Sequence, residues 1–136
     1  ITVRMDGKLS ETDISGLHML VLPGGKKGTE GLESCGALME QLDRFYEAGK
    51  PVAAICAAPS IFGHRGYLKG RRATSYPSFE EHLEGAQVTH APAETDANVI
   101  TGRGMGCSIP FALAVVEYLC GKEEADRIAE SVVYTG

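Results

Sequence analysis

Two short apolar runs dominate the pattern of this chain: LHMLVLPGG at residues 17–25 and PVAAICAAP at residues 51–59. Each is closed by glycine, proline or small residues, which reads as a buried strand running into a loop. Between them, Leu38, Leu42 and Phe45 recur within residues 31–49 at helical spacing, and Gly49 and Pro51 close that segment. One amphipathic helix is therefore expected over 31–49. Strand, helix and strand in succession imply parallel strands joined by a helical crossover. Both runs are apolar almost throughout, as in strands covered on two faces. The expected fold is α/β: a doubly wound sandwich with a mostly parallel sheet, formed as a single domain over residues 1–136.

The remainder of the chain fits that frame. APSIFGHRGYL reads as a short helix with Pro59 in its first turn, where a missing N–H does no harm. RATSYPSF begins a strand that Pro77 stops, and residues 86–102 read as a hairpin or two strands around Asp96, Ala97 and Asn98. IPFALAVVEYLCG is a helix with Ser108 as its expected N-cap, and KEEADRIAESVVY is another. There is no repeat, low-complexity stretch or linker.

In such sheets, sites form beyond the carboxyl ends of the strands, and Gly24-Gly25 and Cys56 both fall there. Cys56 stands at the junction of strand and helix, with Ala54, Ala57 and Ala58 small enough for a tight turn. This is the arrangement of a nucleophile elbow. The N–H groups and dipole of the following helix favour a thiolate and an oxyanion beside it. Gly24 and Gly25 permit close backbone approach, either as a second source of N–H donors or as a turn that simply needs glycine. Cys35 and Cys120 read as small packing residues, and Cys107 sits in a glycine-rich turn. GRGMGCS departs from the GxGxxG nucleotide fingerprint, and Pro110 removes an N–H from the helix start.

Composition excludes several function classes. The net charge of −5 lacks the basic footprint of a nucleic-acid binder, and Lys69, Arg71 and Arg72 read as a solvated cluster. No apolar run approaches the ~20 residues that cross a bilayer. The four cysteines contain no CxxC and read as free thiols in a reducing, cytoplasmic setting. The four histidines form no HxxxH pair, so no metal site is expected.

LPGG, AAICAAP, ATSYPSFEEHLEGA, and ITGRGMG ahead of FALAVVEYLCGKE together resemble the ThiJ/PfpI superfamily. The resemblance covers nearly the whole chain. It is strongest to the ThiJ-like branch that includes the Parkinsonism-associated protein deglycase. It implies a flavodoxin-like sandwich, a homodimer and an oxidation-sensitive nucleophile at Cys56. The N–H groups of Gly25 and Ala57 would form the oxyanion site. Tyr76 would stand near the thiol, and Arg103 would lie in a turn that reads RGMG where relatives have RGPG, so Met105 replaces a proline.

Two departures matter. The peptidase-like branch has His directly after the nucleophile, where this chain has Ala57. His82-Leu83-Glu84 has an amidotransferase-like spacing but follows Cys56 too closely. The family also keeps a glutamate on its first helix that hydrogen-bonds the thiol. The chain begins at Ile1 without that helix or the strand before it, so an N-terminal βαβ unit is expected to be missing from the middle of the sheet. That would expose two strand edges. A preceding segment or second chain is expected to fill the gap, and residues 1–136 are expected not to fold alone.

The function implied is a cofactor-free, metal-free enzyme of the glyoxalase or deglycase type, acting on small dicarbonyls such as methylglyoxal to give lactate. The alternative is a redox-regulated chaperone or oxidative-stress sensor without turnover.

Overall fold

The computed structural model describes residues 1–136. The two apolar runs form β1 (Leu20–Leu22) and β2 (Val52–Ile55), which pair in parallel with Leu20 opposite Val52 and Leu22 opposite Ala54. The crossover between them is two helices, α1 (Lys26–Glu33) and α2 (Gly36–Glu47), not the single helix expected over 31–49. The break falls at Cys35, whose extended backbone precedes α2. Gly28 and Gly31 leave α1 with little apolar periodicity, which is why its start at Lys26 escaped the pattern. Beyond β2 come α3 (Pro59–His64), then β3 (Arg72–Ala73), a 3-10 turn over Pro77–His82 and β4 (Gln87–Val88). β3 and β4 form a separate parallel pair.

The hairpin at the carboxyl side is as expected. β5 (Ala93–Asp96) and β6 (Val99–Gly102) pair antiparallel around Ala97, which adopts φ 50°. β6 lies parallel to β2, giving the order β1-β2-β6-β5. This is the mostly parallel, doubly wound sheet of a flavodoxin-like fold. α4 (Ser108–Cys120) and α5 (Lys122–Ser131) follow, joined at Gly121. Ser108 does not cap α4. It is the first helical residue, and its hydroxyl donates to the Met105 carbonyl.

The sheet strands of this chain pair without an interior gap, so the two flanking edges expected from the sequence do not occur. β1 is an outer strand, bonded on one side only. The faces are unequal. Leu22, Val52, Ala54 and Val99 pack against Leu38, Leu42 and Phe45 of α2 and Ile61 and Phe62 of α3, in a core of 15 buried residues. On the other face only Ala53, Ile100 and Phe111 are buried together, beneath α4. Val21 shares that face with its partner Ala53 and is 48% exposed. No helix is long and apolar enough to cross a membrane. An outer strand with an uncovered valine is an association surface. The isolated chain is expected to self-associate, and Val21→Lys to shift its sedimentation profile towards monomer; an unchanged profile would contradict this.

A polar clamp fixes α2 to the end of α3. Arg65 Nε donates to Asp43 Oδ1 at 2.7 Å, and the Tyr67 hydroxyl donates to the same oxygen. The Tyr67 ring stacks on Tyr46 at 3.9 Å between centroids. The Arg65 hydrogen bond holds the Asp43 carboxyl below its usual range, with the Tyr67 hydroxyl acting in the same direction. Burial, chiefly, pushes the Tyr67 phenol above its usual range. A carboxyl lowered by folding stabilises above its unfolded pKa, and that contribution disappears as pH falls through the folded value. The denaturation midpoint should therefore fall more steeply as pH drops below about 4 in the native sequence than in Asp43→Asn. Parallel curves would show that the clamp contributes nothing.

Candidate active site: the Cys56 elbow

β2 carries Cys56 to the carboxyl edge of the sheet, where the backbone turns sharply. Cys56 has φ 66°, in the left-handed region that non-glycine residues rarely enter. Such a conformation costs about 1–3 kcal/mol and persists where neighbours enforce it. Here two backbone hydrogen bonds enforce it. Cys56 N–H donates to the Gly102 carbonyl at the end of β6, and Tyr76 N–H donates to the Cys56 carbonyl, both at 2.9 Å. The thiol is free and half-buried, while Ala57 and Ala58 behind it are 1% and 0% exposed.

The glycine turn after β1 lies directly against this elbow. A Cβ at Gly24 would sit 2.6 Å from the Cys56 Cβ and 2.7 Å from the Ile55 carbonyl oxygen, so only glycine fits. Gly25 follows with φ 86° and opens α1. The N–H groups of Gly25 and Ala57 make no hydrogen bond to the protein. Ala57 is buried, and a buried, unpaired N–H is uncommon and marks a donor available to a ligand. Gly25 is exposed, so its N–H faces the mouth of the site. The start of α3 offers less than the sequence implied. Ala58, Ser60 and Ile61 donate to the carbonyls of Ile55, Ala57 and Ala58, and Pro59 has no N–H. Ala57 is thus the free donor on that side.

Tyr76 is half-exposed beside the elbow, its ring alongside Gly104, and it touches Cys56 through the backbone. Arg103 is committed to the wall. Its Nη1 donates to the His90 carbonyl at 2.6 Å, its Nη2 lies 3.8 Å from Glu80 Oε1, and its N–H bonds the Pro92 carbonyl. His90 Nδ1 is 2.9 Å from the same Glu80 oxygen. Glu80 and His90 were missed by sequence reasoning; the positive φ of His90, 57°, has no signature in its neighbours. Met105 projects into solvent at 89% exposure. His82 directs Nδ1 to His64, which takes it out of any pairing with Cys56. Cys35, at the start of α2, is half-buried and packs against the main core as expected, whereas Cys120 is exposed and is not the packing residue expected.

A nucleophile elbow at the edge of a flavodoxin-like sheet defines the class, and comparison with known proteins defines the family. The chain belongs to the DJ-1/PfpI family, whose profile matches residues 1–118. It is 37% identical over 127 residues to DJ-1 homolog A of Arabidopsis thaliana, a match covering 91% of this chain and 32% of that protein. A deglycase of Pyrococcus abyssi is 36% identical over 107 residues, covering 77% of this chain and 64% of its own length. The oxidised DJ-1 of Toxoplasma gondii superposes with a TM-score of 0.81 at 31% identity, covering 88% of this chain and 65% of that one. The chain thus spans about a third of the plant relative and about two thirds of the other two.

Gly24→Ala should separate the glycine turn from the elbow and destabilise the fold by about 1–3 kcal/mol, the usual cost of overpacking. Chemical denaturation measures it, and a loss below a few tenths of a kcal/mol would show that the contact is loose.

Proposed function

We propose that this chain supplies the nucleophile and oxyanion site of a cofactor-free enzyme acting on small dicarbonyls, of the glyoxalase or deglycase type. The observation that carries the reading is the strained Cys56 elbow, with the unpaired N–H groups of Gly25 and Ala57 on the two strand ends that meet there. The deglycase of Pyrococcus abyssi among its relatives supports the same class of chemistry.

The Cys56 thiolate attacks the aldehyde carbon of a dicarbonyl such as methylglyoxal, forming a C–S bond while the carbonyl π electrons move to oxygen. Gly25 and Ala57 donate their N–H groups to that oxyanion. Protonation gives a hemithioacetal. A general acid/base then moves a proton between the adjacent carbons. Water finally cleaves the resulting thioester, releasing lactate and the thiol. Tyr76 and Arg103 shape the pocket: the ring borders its mouth, and the guanidinium anchors the loop carrying His90. The acid/base is contributed from outside these residues, by a preceding segment or second chain that pairs with the open edge of β1 and covers Val21. The active assembly is a homodimer.

A second reading rests on the same accessible sulfur. Peroxide would take Cys56 to sulfenic and then sulfinic acid, with the orphan N–H of Ala57 holding the sulfinate, and the protein would act as an oxidative-stress sensor or redox-regulated chaperone. Methylglyoxal turnover by the assembled protein should fall to background in Cys56→Ser. Stoichiometric addition of two oxygens to Cys56 at low peroxide, without turnover in the native sequence, would replace the enzyme by the sensor.

A further inference from the structure

A second polar cluster lies away from the thiol, between α1, α3 and the Pro77–His82 turn. It borders a cavity of about 200 Å³ lined in part by Lys26, Thr29, Glu33, Ser60, His64 and His82. Glu33 Oε1 is 2.6 Å from His64 Nδ1. His64 Nε2 is 3.0 Å from His82 Nδ1, and the two rings meet at 82°. Thr29 lines the same cavity at 3% exposure, and its hydroxyl has no hydrogen-bond partner.

The protonation pattern follows from the acceptor. Glu33 Oε1 accepts a hydrogen bond from His64 Nδ1–H, which makes Nε2 the acceptor nitrogen of that ring. In the metal-free chain His82 Nδ1–H donates to that nitrogen. An ion would replace this proton, with His82 passing to its Nε2–H tautomer so that both nitrogens offer lone pairs. Two imidazole nitrogens 3.0 Å apart that share an ion at the usual bond length of about 2.0–2.1 Å subtend ~95° there. That is a cis pair in a square-planar or octahedral shell, the geometry favoured by Cu2+ and Ni2+ over tetrahedral Zn2+. Glu30 and Glu33 outnumber Lys26 around the cavity, so the local charge favours a cation.

We propose that His64 and His82 form a site for a divalent, nitrogen-seeking transition-metal ion, with Glu33 orienting His64 through its other ring nitrogen. This is the carboxylate–histidine–metal arrangement. No group of three or more His, Cys, Asp or Glu residues in the chain could enclose an ion, so the site is open. Its remaining positions face the cavity as water. The histidines are 18 positions apart, which is why no sequence motif shows the pair.

Ni2+ is the probe, because it does not oxidise thiols. Calorimetric titration of the untagged chain should show one Ni2+ bound per chain. Affinity should fall at least tenfold in His82→Ala and in His64→Ala, and about tenfold in Glu33→Gln, the low end of the usual effect of removing such a partner. Cys56→Ser should bind as the native sequence does. In that variant, Cu2+ should give an electron paramagnetic resonance spectrum with coupling to two imidazole nitrogens, reduced to one by His82→Ala. The His82 side chain is 42% exposed, so its replacement leaves the fold intact and carries the test even where His64→Ala does not fold. Ni2+ binding unchanged in His82→Ala, or lost in Cys56→Ser, would overturn the site.

Discussion

The parallel register between β1 and β2 determines where the chemistry falls. Leu20 faces Val52 and Leu22 faces Ala54, so the strands end level and Gly24 arrives against Cys56. A slip of one residue would turn every side chain to the opposite face and separate the two turns. β6 completes the arrangement from the other side, placing the Gly102 carbonyl where it takes the Cys56 N–H. Three strand ends therefore hold one residue in a conformation it would not choose. The compensation is in β2 itself, whose Val52, Ala53 and Ala54 are completely buried. The strand cannot relax without exposing them.

The two faces of the sheet divide the labour. The thick core under α2 and α3 makes the elbow rigid from below. The thin face, with Ala53, Ile100 and Phe111 under α4, stops short of β1. Relatives that superpose on this chain extend well beyond it, and Val21 on its outer strand is left uncovered. The proposed reaction has the same asymmetry: nucleophile and oxyanion donors lie within these residues, while the acid/base comes from outside.

Much of this was legible because burial writes itself into short patterns. LHMLVLPGG and VAAIC gave the strands, and their small closing residues gave the turns that meet at the site. The hairpin around Ala97 was visible for the same reason. Legibility failed where the determinants lie far apart in the chain. Gly28 and Gly31 hid α1, and Ser108 looked like a cap although its hydroxyl turns back to Met105. Cys56 was recognisable by its position, but its φ of 66° depends on Gly102 and Tyr76. The Glu80–His90–Arg103 wall joins separate loops, so no local spacing announces it.

One contact away from the thiol bears on how the mouth of the site can move. Gly63 lies so close to the His82 carbonyl that an added Cβ would be 1.9 Å from its oxygen. Helix α3 and the turn that follows Tyr76 are therefore interlocked through main chain, with no side chain to act as a cushion. Tyr76 is tied to that block at Pro77 and to Cys56 at its own amide. The aromatic rim and the floor beneath the sulfur then travel as one body. The opposite lip is seated just as closely, because Gly24 packs against the Cys56 Cβ and the Ile55 carbonyl, so a ligand meets an entrance whose two sides are both held by main chain.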